Sequence, residues 1–253
     1  MSAKLMQAVQ YNSYGGGASG LKHVEVPVPT PKNNEVLLKL EATSINPVDW
    51  KIQNGFLRPF FLPREFPHIP CTDVAGEVVE VGAQVRDFKA GDKVIANLTH
   101  KYGGGLAEFA VASESSIAAR PSEVSAAEGS IPIAGLTARD ALTKIAGVKL
   151  DGTGEPKNVL DLGADEVLDY KTPEGATLKS PSGRKYDAVV QSKKRPVPFS
   201  VTVKREGLEH LSQLIKVGKL KTIIDSKFPL SKAEYAWAKS IDGHAAGKII
   251  VEL

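Results

Sequence analysis

The chain has 253 residues, with 32 lysines and arginines against 29 aspartates and glutamates, a formal net charge of +3. With 42% hydrophobic and 24% charged residues it is a globular chain, long enough for one large domain or two ordinary ones, and not a disordered one. The small, dispersed basic excess gives no warrant for nucleic acid but is compatible with weak attraction to an anionic membrane surface; the single Cys71 excludes internal disulfides and any multi-cysteine zinc site, and no apolar run approaches the ~20 residues of a membrane span.

The amino terminus contains no apolar stretch with a cleavage site and no arginine before Arg58, so neither a secretory signal nor an Arg-rich transit peptide is expected, and a cytosolic protein starting at Met1 is the plain reading. Residues 4–11 and 22–28 read as short strands separated by the Gly-rich turn Tyr14–Gly20, and Glu35–Ala42 reads as a further strand bounded by Pro31 and by Asn46-Pro47. Proline-rich chain from Phe56 to Pro70, with Phe-Leu and Phe-Phe pairs, reads as a packed loop. Strands follow at Asp73–Gly82, a β-branched run with a glycine inside, at the end of Phe88–Ala96, and at Gly105–Ala112. Short, regularly spaced strands with Gly turns predict an all-β unit of about 120 residues, a distorted barrel.

From Ser122 the texture changes. Ser125-Ala-Ala-Glu has the form of a capping box, and a helical pattern broken by Pro132 runs through Leu136–Ile145. Apolar strands at 157–160, 166–170, 186–190 and 198–203 alternate with helical stretches at Gly207–Val217 and Lys232–Ser240, and Gly247–Leu253 is a final strand. This half reads as α/β.

Seven blocks occur in a fixed order: Ser44-Ile-Asn-Pro-Val-Asp-Trp-Lys51, Pro70-Cys-Thr-Asp-Val-Ala-Gly-Glu-Val-Val-Glu-Val-Gly82, Phe88-Lys-Ala-Gly-Asp-Lys-Val94, Gly104-Gly-Leu-Ala-Glu-Phe109, Ile133-Ala-Gly-Leu-Thr-Ala138, Leu162-Gly-Ala-Asp-Glu-Val-Leu-Asp-Tyr170 and Gly243-His-Ala-Ala-Gly-Lys-Ile-Ile250. Together they resemble the zinc-independent quinone oxidoreductase branch of the medium-chain dehydrogenase/reductase superfamily, and its plant chloroplast-envelope members in particular. The resemblance covers nearly the whole chain. It implies a fold of class α/β plus β: a GroES-like β-barrel domain formed by residues 1–125 and 222–253, with a Rossmann-like cofactor domain inserted at residues 126–221 and the active site in the cleft. It further implies NADPH as cofactor and a small-molecule carbonyl or quinone as substrate, reduced by hydride transfer; members of the plant branch act on oxylipin-type ketones and γ-ketols. Peripheral association with the inner chloroplast envelope, and a monomer or homodimer, belong to the same expectation.

No metal is expected. Zinc relatives carry a His-Glu pair where this chain has Thr72-Asp73, and an enone, unlike an alcohol, needs only hydrogen-bond donors to stabilise the developing enolate. The resemblance proposes Asn46 and Lys51 as catalytic groups that polarise the carbonyl, and Thr137, Tyr170 and Lys248 as cofactor-binding groups. Each has a plainer reading: Asn46 a turn residue before proline, Lys51 and Lys248 solvated lysines, Thr137 a hydroxyl back-bonded to its helix, Tyr170 a packing residue. Asp49 reads as structural, holding the turn or orienting Lys51, Cys71 as a packed thiol, and the five histidines as ordinary surface or loop residues without ligand spacing.

One departure cuts across the resemblance. A dinucleotide fold needs a Gly-rich turn after its first strand, so that the backbone approaches the pyrophosphate at a helix N-terminus. After Asn158-Val-Leu160 the chain passes directly to Gly163-Ala-Asp, and after Gln191 a second block is missing, so the Rossmann-like domain is incomplete as the chain stands. Either the natural molecule has segments that this chain lacks, or the product is spliced or deleted. The alternative function is a non-catalytic relative, without the cofactor site, that binds a lipid-like ligand or a membrane surface.

Overall fold

The computed structural model describes residues 4–56, 58, 65–99, 103–145, 201 and 203–253. In chain order the strands are β1 (Leu5–Gln10), β2 (Lys22–Pro27), β3 (Glu35–Ile45), β4 (Asp73–Val81), β5 (Lys93–Asn97), β6 (Phe109–Ser113), β7 (Ile117–Ala119), β8 (Ile224–Pro229) and β9 (Lys248–Glu252). The helices are α1 (Pro47–Asn54), α2 (Ala126–Gly129), α3 (Pro132–Asp140), α4 (Arg205–Lys216) and α5 (Ala233–Asp242). The chain groups into two compact units, Met1–Gly135 with Thr202–Leu253, and Leu136–Val201. Of the second, the end of α3, the π-helical turn Ala141–Ile145 and Val201 are described; in the helical part the buried Asp140 carboxylate pairs with Lys144 at 2.6 Å. The strands expected at 157–160, 166–170 and 186–190, most of the one at 198–203, and both breaks in the cofactor motif lie outside the described residues.

The first unit is built on two sheets. β1 and β2 form an antiparallel ribbon, reversed through Gly15, Gly16 and Gly17, all at positive φ. The second sheet runs β7-β5-β4-β3-β9-β8, with β6 also on β3. The eleven-residue β3 can serve three partners because two share one edge. β6 pairs with Glu35–Lys39 and β9 with Ala42–Ile45, while β4 runs along the other side. Register shifts at Leu37/Leu38 and Leu40/Ala42 bend the strand between these partners. Gly76, the glycine inside the β-branched run, is required by this bend. A Cβ there would collide with the Lys39 carbonyl oxygen.

Strand alternation fills one core with Val36, Leu38 and Leu40 against Val74, Val78, Val94, Ala96, Ala110 and Ile117. A second core holds Val9, Tyr11, Leu21, Ile45, Ile249 and Val251 around Trp237 of α5. The C-terminal segment thus completes the barrel sheet: β9 inserts between β3 and β8.

The structure departs from the sequence reading at several elements. The Asn46-Pro47 turn opens a helix, α1, because Pro47 is pre-organised for the first helical position and the Asp49 carboxylate accepts the Asn46 N–H at 2.7 Å. β7 is too short to alternate. Among the described residues β8 pairs with one strand, its parallel neighbour β9, and it carries no strong apolar period. The strand expected from Gly105 begins only at Phe109. The capping box at Ser125 is real, with Ser125 N–H on the Glu128 carboxylate at 3.0 Å, but it caps a single turn because Pro132 restarts the helix. His68 is buried at 6% exposure with its ring edge-on to Tyr11, not a surface residue, and His210 lies on α4.

One buried polar contact ties helices across this core. The Trp237 indole N–H donates to Gln53 Oε1 at 2.9 Å, and both residues are essentially inaccessible. Replacing the indole strands a buried acceptor, so Trp237→Phe is expected to lower unfolding stability by about 1–3 kcal/mol, with an additional packing loss. Urea melts of the two proteins measure it; an unchanged midpoint would refute the role of this bond.

Candidate active site at one end of the barrel sheet

Strand register assembles the site. Asp73, the first residue of β4, pairs with Asn97, the last of β5, and with Ser44 near the end of β3. Ile45 pairs with Ile249, which leaves Asn46 and Lys248 just beyond, at the same end. Four chain segments therefore deliver Asn97, Asp73, Asn46 and Lys248 to one place.

Asp73 is the hub, with no solvent exposure. Its carboxylate accepts from Asn46 Nδ2 at 3.0 Å, from Asn97 Nδ2 at 2.9 Å and from the Ile133 N–H at 3.0 and 3.1 Å. Lys248 Nζ donates to Asn46 Oδ1 at 2.6 Å and lies 3.9 Å from Asp73 Oδ2. The Asn46 amide is thus threaded one way only: its oxygen faces the ammonium and its nitrogen faces the carboxylate. Burial pushes the Asp73 carboxyl up, opposed by Lys248 and the N–H donors; burial also pulls the Lys248 ammonium down from the ordinary lysine value, opposed by Asp73.

A second carboxylate sits behind this pair. Asp49, 3% exposed, is pushed up to about 7 by burial, with the charge of Asp73 adding to the effect. The Cys71 thiol hydrogen-bonds to it and is itself pushed up, first by burial. Cys71 takes a left-handed backbone at φ 68°, a strained turn for a side chain larger than glycine, immediately before β4.

The structure brings two of the sequence candidates, Asn46 and Lys248, into direct contact. Asn46 is both the cap of α1 and part of the cluster, and Lys248 is not a solvated lysine: its side chain is 14% exposed. Lys51, in the last turn of α1, stays out of the cluster; its ammonium stands 5.5 Å from the centre of the Trp50 ring. Thr137 lies half-buried on α3, and among the described residues no hydrogen bond ties its hydroxyl back to the helix. Tyr170 lies outside the described residues. Asp73 and Asn97 were missed. An acidic residue opening a β-branched run, and an Asn closing one, were the available signals.

The alcohol dehydrogenase GroES-like domain family matches residues 32–122, and a zinc-binding dehydrogenase family matches residues 191–251. The chain is 55% identical to the chloroplast envelope quinone oxidoreductase homolog of Arabidopsis thaliana, covering all of both chains. It belongs to the quinone oxidoreductase branch of the medium-chain dehydrogenase/reductase superfamily. Outside that group, it is 29% identical to the chloroplastic NADPH-dependent alkenal/one oxidoreductase of Arabidopsis thaliana, over 98% of this chain and 80% of that one. The fold is that of the quinone oxidoreductase from Coxiella burnetii, with a TM-score of 0.82 at 24% identity, covering 99% of this chain and 100% of that one. The Arabidopsis quinone oxidoreductase homolog aligns over 329 positions, 76 more than the 253 residues here (329 − 253), so internal segments of that member face gaps in this chain.

The donor set of the barrel cluster does not fit the zinc ion that the second family's description names. Asp73 has its lone pairs committed to N–H donors, and the Lys248 cation stands beside it, where a divalent metal would be repelled. Among the described residues no group of three His, Cys, Asp or Glu side chains is placed to hold a metal, and no helix is long and apolar enough to cross a membrane.

The Asp49 carboxyl makes stability depend on pH. Between the ordinary aspartate value of 3.8 and about 7 the folded protein keeps a proton that the unfolded chain releases. Through this group, stability falls as pH rises across that window and is level above it. Asp49→Asn keeps an acceptor for the Asn46 N–H and removes the titration. The melting temperature of the variant relative to the wild type should therefore be more favourable at pH 8 than at pH 5, and an equal difference at both would contradict the buried, protonatable carboxyl.

Proposed function

We propose that the protein is an NADPH-dependent reductase of α,β-unsaturated carbonyls, of the oxylipin-ketone and γ-ketol kind, or of quinones, and that it works without zinc. The observation that carries this reading is the Lys248–Asn46 pair: a buried ammonium with protons to spare after its 2.6 Å bond, held at the end of a barrel sheet in a chain of this branch. The NADPH-dependent alkenal/one reductase among the relatives supports both the cofactor and the substrate class.

NADPH, when bound, would supply the hydride equivalent that reduces the β-carbon of an enone. The chain's part is to bind the carbonyl and stabilise the charge that develops on its oxygen. Lys248 donates to that oxygen, and the Asn46 amide, locked between Lys248 and Asp73, fixes the direction of the ammonium. A lysine pulled below its ordinary value is also a better acid, so Lys248 can pass a proton to the enolate oxygen and leave the α-carbon to solvent. Lys51, with no carboxylate partner among the described residues, is the second donor, reaching substrate or cofactor ribose from α1. Thr137, whose hydroxyl is not back-bonded, serves the nicotinamide ribose, and Tyr170 the adenosine 2′-phosphate. The barrel domain comprises residues 1–125 and 222–253, and residues 126–221 form the cofactor domain. The chloroplast names of the relatives favour that compartment over the cytoplasm, and in this reading the protein attaches peripherally to the inner envelope.

The 76 unmatched positions favour one second reading: a barrel that keeps its ligand-binding end but has lost the cofactor, and binds a lipid-like carbonyl without turning it over. Titration of NADPH fluorescence, followed by NADPH oxidation with an enone or a quinone, separates the two. Saturable binding and turnover are expected, and Lys248→Met should cut kcat/KM by about 10²–10³-fold. Absence of saturable NADPH binding would overturn the reductase reading in favour of the second.

A further inference from the structure

We propose that Asp73 is the positioning residue of this site: its buried carboxylate holds the Lys248 ammonium and the Asn46 amide in the one arrangement that points the ammonium at the substrate oxygen. This inference rests on the reductase reading for its catalytic meaning, but the geometry stands apart from it.

Asp73 touches no solvent, so it acts through its neighbours. Its two oxygens are spanned by donors from three separate segments: Asn46 ahead of α1, Asn97 at the end of β5, and the Ile133 backbone in the first turn of α3. Thr43 Oγ1 donates to the Asp73 carbonyl oxygen at 2.8 Å, which fixes the backbone as well. Such a carboxylate cannot turn. Lys248 reaches the cluster along β9, and its Nζ meets Asn46 Oδ1 only because Asp73 draws the other end of that amide. Remove the charge, and the ammonium loses its nearest counter-ion; the amide loses the partner that sets its orientation. Among the described residues the titratable groups facing Lys248 are Asp73 on β4, Asp49 on α1 and the Cys71 thiol ahead of β4. Of these, Asp73 is the one in both the amide and the ion pair.

The expected consequences differ from those of a merely structural carboxylate. In Asp73→Asn the ammonium ionises without its counter-charge, so the pH at which Lys248 loses its proton moves down, and the basic limb of the kcat profile moves to lower pH with it. The rate should fall by about 10–100-fold, with KM for NADPH little changed. Asp73→Glu keeps the charge but displaces it by one methylene; the basic limb should return towards the wild-type position while kcat stays reduced. Asn97→Ala leaves every charge in place and only loosens the carboxylate. It should lower kcat without moving the limb, and it serves where Asp73→Asn fails to fold.

The decisive readout needs no turnover. Lysine labelled with ¹³C at Cε, with Lys248 assigned through Lys248→Met, gives the Lys248 titration by NMR in the full chain. A lower midpoint in folded Asp73→Asn supports the proposal. An unmoved midpoint overturns it, as does wild-type kcat in Asn97→Ala. If the wild-type chain turns nothing over, the reductase reading falls, and the NMR titration still decides whether Asp73 holds Lys248.

Discussion

A carboxylate with no access to water has to be neutralised by protein groups or it does not stay folded in place. Asp73 is neutralised by two side-chain amides, one backbone N–H and one ammonium, and each comes from a different part of the chain. That demand explains why β3, β4, β5 and β9 finish or start level with one another. It also explains why the last strand, whose Lys248 is 202 residues beyond Asn46, returns to lie against β3. The same demand produces the site. Satisfying Asp73 fixes Asn46, and fixing Asn46 leaves Lys248 with one bond made and further protons to offer.

Behind this pair, Asp49 and Cys71 form a quieter layer. With Asp73 facing Lys248, a second full negative charge at Asp49 would be uncompensated, and burial keeps its proton on towards neutral pH. The helix α1 is the mechanical link: its cap is Asn46, its third residue is Asp49, and Gln53 at its far end is tied to Trp237. A single eight-residue helix thus connects the polar cluster to the apolar core.

Much of the barrel was legible because alternating β-branched residues and glycine turns report directly on strands that bury one face; β3, β4 and β5 are of this kind. The Ser125 box and the α4 pattern were legible for the matching helical reason. α1 was hidden because Asn-Pro signals a turn and a helix cap equally, and only Asp49 three residues on distinguishes them. β8 was hidden because its stability comes from β9 and not from its own pattern. Among the site residues, Asn46 and Lys248 were reachable from family blocks. Asp73 also lies in a family block but was passed over, since its importance is register: it stands opposite Asn97 and opposite Ser44, two residues before Asn46, and no single segment states both. Tyr170 and the cofactor turn fall outside the described residues, and the length of the chain against its relatives remains the sharpest statement about that half.

The central claim is that the barrel end offers a charged donor to a carbonyl oxygen. Infrared spectroscopy of a bound enone measures that most directly, through the carbonyl stretch. The account predicts a shift to lower wavenumber than in water when the enone binds the wild-type protein, and loss of that shift in Lys248→Met. A bound carbonyl with the same frequency in both proteins would contradict it.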